Sequence, residues 1–148
     1  MGGSTDADPF DLQRFVDAQA VNHAQALEEL IAGRKRTHWS WYVLPQLRGL
    51  GTSPLALRYG IGGLDEARAY LAHPVLGARL QACVAAIGRH PEKSAETILG
   101  AVDALKYHAC LTLFCVAAGS GSPFEGALRI HFGGARHART LEMLGHPA

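Results

Sequence analysis

A chain of 148 residues with a formal net charge of +1, 48% apolar side chains and 18% charged ones has the size and make-up of one globular domain. That balance excludes a disordered chain, and the near-neutral charge excludes a global field that would gather nucleic acid. A domain of this length buries roughly 70% of the surface its unfolded chain exposes, so its stability requires neither a disulfide nor a metal.

Residues 1–7 are expected to form a disordered lead to a single domain over 8–146. Asp8-Pro9 predicts a helix start, because the aspartate accepts bonds from free backbone amides and proline has none to waste at a first helical position. Leu12, Phe15, Val16 and Gln19 follow at helical spacing. A second amphipathic pattern runs from about Val21 to Ala32 with Leu27, Leu30 and Ile31 on one face, and Gly33 suits a left-handed cap. Asn22 is a plausible internal cap between the two. The run His38–Leu44 holds five large apolar groups in seven residues, and Pro45 ends it. A short helix is expected there, because no other segment pairs with it as a strand and a lone strand leaves its backbone groups unsatisfied.

Ser53-Pro54 opens the next helix, and the glycines from Gly60 to Gly63 close it. Asp65 caps or opens Glu66–Ala72, His73-Pro74 restarts the chain into Val75–Ile87, and Ser94 begins a short helix ending at Gly100. Asp103–Ala118 is the most apolar helix. After the linker from Gly119 to Pro123, Phe124–Phe132 and Arg139–Leu144 complete the chain. Nothing alternates with period two over a useful length, so the expected class is all-α: one compact domain of seven to nine short helices punctuated by 17 glycines.

Cys83, Cys110 and Cys115 form an odd set without metal or redox spacing, expected to be buried reduced thiols in a cytoplasmic protein. The first residues lack the basic-then-apolar order of a signal peptide, and no apolar run is expected to reach the ~18 residues of a membrane span.

A resemblance covers nearly the whole chain. Asp8-Pro9-Phe10-x-Leu12-x-Arg14-Phe15 is followed by Gly33-Arg34-Lys35-x-x-His38-Trp39-x-Trp41-x-x-x-Pro45-Gln46. Leu64-Asp65-Glu66-Ala67, Tyr70-Leu71-x-His73-Pro74, Asp103-x-x-Lys106 and Thr112-Leu113-Phe114 come next, and Phe132-Gly133-Gly134 and Thr140-Leu141 complete the set. Together they resemble a family of small helical bacterial proteins, the domain of unknown function DUF1810, whose members are sometimes labelled calpastatin. The resemblance implies one mainly helical domain and no particular activity. The label does not suit a chain with a core, since an inhibitor segment of that name is extended and disordered.

The candidate chemistry gathers around the tryptophans. Arg34, Lys35 and Arg36 have two readings: complements to a helix C-terminus, or captors of a phosphate or carboxylate. Trp39 and Trp41 are two apart, about 200° around a helix, so one is expected in the core and the other beside a cleft. His38 is the catalytic candidate, an imidazole that exchanges protons near neutral pH or simply bonds a backbone carbonyl. Gln46 orients a ligand or caps a helix. Lys106 pairs with Asp103 across one helical turn or serves as an anion anchor.

No metal-ligand spacing, nucleophile elbow or phosphate loop is present, and no cofactor is expected. Neither sequence-specific nucleic-acid binding nor a membrane is expected. The preferred reading is a pocket of Arg34, Lys35, His38, Trp39, Trp41, Gln46 and Lys106 for a phosphate-bearing nucleotide or nucleotide-sugar, either bound only or bound and turned over. The alternatives are a protein-interaction module with an aromatic-basic surface, or purely structural roles.

Overall fold

In the computed structural model, which describes residues 8–145, Asp8 caps from a distance. Its carboxylate accepts from the backbone N–H groups of Leu12 at 2.8 Å and Gln13 at 3.0 Å, and α1 runs over Gln13–Ala32. Pro9 and Phe10 form a turn ahead of the helix, and Asp11 sits there at φ +51°, a left-handed conformation that aspartate tolerates. The expected start at Asp8-Pro9 is therefore too early. The expected lead over 1–7, and residue 146, lie outside the described residues.

The two predicted patterns between Leu12 and Ala32 are one helix with a kink at Asn22, whose φ of −142° and ψ of 16° are not helical. The Asn22 amide donates to the Tyr42 hydroxyl at 2.8 Å, and the Gln19 amide donates to the Tyr42 carbonyl at 2.6 Å and to the Tyr70 hydroxyl. The kink thus binds α1 to the tryptophan segment. Beyond it the buried face is Ala26, Glu29 and Leu30; Ile31 is 49% exposed, against the expectation that it faces inward.

The remaining helices are α2 (Ser40–Val43), α3 (Pro54–Tyr59), α4 (Leu64–Ala72), α5 (Leu76–Gly88), α6 (Ala95–Leu99), α7 (Ala101–Ala118), α8 (Pro123–Phe132) and α9 (Ala138–Leu144). The described residues are thus all-α in nine helices, two of them longer than the short segments expected. Serines do the capping at Ser53, Ser94 and Ser122, each accepting from the third residue on. An isolated parallel bridge between Leu47 and Ile61 closes the loop that carries α3.

Helices from both sides of it in the sequence form a shell around α7, which packs against α4, α6, α8 and α9, while α1 packs on α5 and α2. Through the middle runs a chain of aromatic rings, Phe15 to Tyr70 at 5.1 Å, Tyr70 to Phe114 at 5.3 Å and Phe114 to Phe124 at 5.7 Å. Such tilted and edge-on contacts each contribute about 0.5–1.5 kcal/mol beyond the area they bury. At 18 residues and mean hydropathy 1.3, α7 is long and apolar enough to cross a membrane, contrary to the expectation of no such run; here it is the central core helix. Cys83, Cys110 and Cys115 are free and buried, as expected, and burial pushes the Cys83 thiol up to about 12.

A buried ion pair fixes the other end of the molecule. Arg14 on α1 lies 2.8 Å from the Glu66 carboxylate on α4. It also donates to the backbone oxygens of Phe10, Asp11, Arg58 and Gly60, and so ties the first turn, the α3 loop and α4 together. Glu66 completes the knot by accepting from Gly62 N–H at 2.9 Å.

Histidines replace serine at two other starts. His73 Nδ1 accepts from the N–H groups of Val75 and Leu76 before α5, and His137 Nδ1 accepts from Thr140 N–H at the start of α9. An accepting Nδ1 must be unprotonated. Burial, then the neighbouring His108, hold His137 below its ordinary 6.5. With the folded value lowered, the stability it supplies is complete above pH 6.5 and is lost as pH falls from there through the lowered value. His137→Asn is expected to keep the cap, since asparagine accepts the same bond without titrating, and to flatten the dependence of Tm on pH between about 7 and 5. A slope equal to that of the wild type would remove this role.

Candidate functional site

Helix α1 ends on Gly33 at φ +78°, and a Cβ there would stand 2.9 Å from Lys93 Nζ and 3.1 Å from the His90 ring. His90 Nε2 meets the carbonyls of Leu30 and Ile31, and Lys93 reaches the Gly33 carbonyl. These two residues, rather than Arg34, Lys35 and Arg36, serve the helix C-terminus. The three cations are released for other contacts.

What folds the next segment is Glu29. Its buried carboxylate accepts from the backbone N–H groups of Arg36 at 2.8 Å and Thr37 at 3.1 Å, from the Thr37 hydroxyl at 2.7 Å and from the Trp39 indole N–H at 3.1 Å. Burial opposes the charge, but the bonds from Thr37, Arg36 and Trp39 outweigh it and hold the carboxyl down at about 2. The chain wraps this one anion and delivers Trp39 into the core, where it is fully buried.

Trp39 itself is not helical (φ −153°), and α2 begins at Ser40. The turn into the helix throws the two indoles apart. Trp41 is half-buried, and Lys106 Nζ lies 4.9 Å over its ring. Lys35 Nζ lies 5.0 Å over the Trp39 ring and 2.9 Å from the Asp103 carboxylate, which is also 3.7 Å from Lys106. Two ammonium groups therefore flank one carboxylate beside two aromatic faces, leaving an excess of one positive charge.

Around them is a hollow of about 270 Å³ lined by Lys35, His38, Trp39, Ser40, Trp41, Val102, Asp103 and Lys106. His38 is exposed at its edge. A narrow cavity of about 10 Å³ adjoins it, lined by Gln46, Leu44, Ala56, Tyr59 and Gly60 and sharing Ser40, Trp41 and Lys106 with the hollow.

Of the expected site, Lys35, His38, Trp39, Trp41 and Lys106 come together, and Gln46 stands in the adjoining cavity. Arg34 does not join them. It is exposed and lines, with Arg36, a separate space of about 270 Å³ against Glu28 and Glu29. Trp39 contributes to the wall from within the core, so its ring is an anchor and Trp41 is the accessible one.

Two participants were not anticipated. Asp103 was expected to pair with Lys106 alone, because only that contact is local; its shorter bond is to Lys35. Ser40 gave no signal in the sequence, being a small residue between two large ones. A wider hollow of about 980 Å³ also opens elsewhere, beside the Arg14–Glu66 pair, with Arg48, Arg58 and Arg68 around it. Among the described residues no three histidine, cysteine, aspartate or glutamate side chains gather as a metal site.

The comparisons with known proteins agree with the fold. A family model described as "protein of unknown function (DUF1810)" matches residues 9–144. The chain is 48% identical to the conserved hypothetical protein Rv1873 from Mycobacterium tuberculosis, known from a crystal structure at 1.38 Å. The match covers 95% of this chain and 100% of that one, with a TM-score of 0.91. A comparison with curated proteins gave no match.

Proposed function

Since the chain belongs to the DUF1810 family of proteins of unknown function, we propose that its hollow binds a small phosphate-bearing nucleotide. The observation that supports this is the Lys35–Asp103–Lys106 cluster beside Trp41: two cations on one carboxylate, next to a half-exposed indole. Asp103 holds the ammonium groups in place, and the surplus positive charge attracts an anion. The Trp41 ring offers a stacking face of the kind nucleobases use. His38, exposed at the edge, is the group positioned to donate a hydrogen bond to the ligand or move a proton.

Size narrows the class. A volume of about 270 Å³ lies just under the usual ~300–1,000 Å³ of ligand pockets, which suits a mononucleotide better than a dinucleotide. Lys106 is the residue to test, because its side chain is partly exposed and its removal leaves the Lys35–Asp103 bond intact. Titration calorimetry with AMP is expected to show binding to the wild type and at least about a tenfold weaker affinity for Lys106→Met, the loss of one charge-assisted bond to phosphate. Undiminished affinity in Lys106→Met, or no binding by the wild type, removes the reading.

A second reading rests on Val102 and Leu105, which are 67% and 63% exposed on α7 next to Lys106. Two bare aliphatic side chains beside an aromatic-basic surface suit a protein partner. Failure of AMP and other nucleotides to bind would favour it.

A further inference from the structure

Ser40 stands between the two tryptophans and is 3% exposed. Among the described residues its hydroxyl is buried without a hydrogen-bond partner. An orphaned buried hydroxyl destabilises the free protein, so its presence in the wall of a cavity is a sign of a partner that arrives from outside. Ser40 lines both the main hollow and the narrow cavity, as do Trp41 and Lys106. The narrow cavity, at about 10 Å³, takes a single water-sized atom. Gln46 in its wall carries both a donor and an acceptor.

Resting on the nucleotide reading above, we infer that this narrow cavity is the specificity compartment of the same site. It receives one uncharged hydrogen-bonding group of the bound nucleotide, a hydroxyl, carbonyl oxygen or amino group, which gives the Ser40 hydroxyl its missing partner. The phosphate stays with Lys35 and Lys106. The walls common to both spaces, Trp41 and Lys106, let one small molecule occupy the two together. A ligand that is only an anion fills the first space and leaves Ser40 unpaired.

The test is Ser40→Ala, titrated with AMP and with inorganic phosphate, with thermal unfolding of the free protein measured alongside. AMP affinity is expected to fall about three- to tenfold, the effect of one neutral hydrogen bond, while phosphate affinity stays the same. The free variant is expected to melt at the wild-type temperature or about 2–4 °C above it, because an unpaired hydroxyl has been removed. Gln46→Leu is expected to weaken AMP and spare phosphate in the same way.

Equal weakening of both probes, or an unchanged AMP affinity with a lowered melting temperature, overturns the inference: the serine then serves packing or an internal water. If the wild type binds AMP and only the serine change is silent, the compartment falls and the hollow stands. If the wild type does not bind AMP, the nucleotide reading fails and this inference with it.

Discussion

Glu29→Ala is expected to lower folding stability by about 3–5 kcal/mol, seen as a fall in Tm of roughly 10 °C or more in a chain of this size. The reason is the number of donors it serves. Removing the carboxylate strands the N–H groups of Arg36 and Thr37, the Thr37 hydroxyl and the Trp39 indole N–H, of which the last is fully inside the core. Each stranded buried donor costs about 1–3 kcal/mol, less where water can reach it. Glu29→Gln keeps the shape but presents an NH2 group to donors and is expected to recover only part of the loss.

The carboxyl also gives a pH signature. Held at about 2 against an ordinary 4.5, it contributes stability that is complete above pH 4.5 and disappears as pH falls from there through 2. The wild type should therefore lose stability over that window more steeply than Glu29→Gln. Parallel pH profiles of the two would show that the carboxylate is not the organiser of the segment.

Arg14→Met is the second large effect, expected at about 3–5 kcal/mol by chemical denaturation, because it leaves the Glu66 charge buried with its guanidinium partner gone. The double change Arg14→Met with Glu66→Met removes that stranded charge. It should recover part of the loss and no more, since the carbonyls of Phe10 and Arg58 still lack the guanidinium donor, while Asp11 keeps only the backbone N–H of residue 14 and Gly60 only Arg48. Proteolysis within residues 46–63 should accelerate in both variants, as that loop loses its tie to α1. Full recovery in the double variant would reduce Arg14 to a counter-ion.

The places where sequence reasoning succeeded are local. Gly33 as a left-handed cap, Ser53-Pro54 and Ser94 as helix starts and the Asp103–Lys106 turn each involve residues within a few positions of one another, and backbone sterics or helical period suffice to find them. The split of the tryptophans into one anchored and one accessible ring was anticipated from helical spacing. It arises instead from the bend between Trp39 and Ser40, since Trp39 precedes the helix.

What spacing could not supply is direction outside regular structure. Arg34, Lys35 and Arg36 look like one patch in the sequence. In the irregular segment between α1 and α2, neighbouring side chains fall on opposite sides, so Lys35 turns inward to Asp103 while Arg34 and Arg36 face Glu28 and Glu29. Arg14 was similarly opaque. Its partner lies 52 positions away, and an arginine between Gln13 and Phe15 gives no hint of burial. Both omissions concern contacts between distant parts of the chain, where local chemistry leaves many pairings open.

The three unpaired thiols inside the shell give the protein a reporter of its own opening. Cys83 lies on α5 and Cys110 and Cys115 on the central helix α7, and each is at most 1% exposed. An alkylating reagent supplied in excess can reach them only when the packing around those helices opens, so the rate of covalent capture follows the frequency of that event. Mass spectrometry of the wild type would resolve whether the three are captured together or one at a time, and so whether the interior breathes as a unit or from one edge.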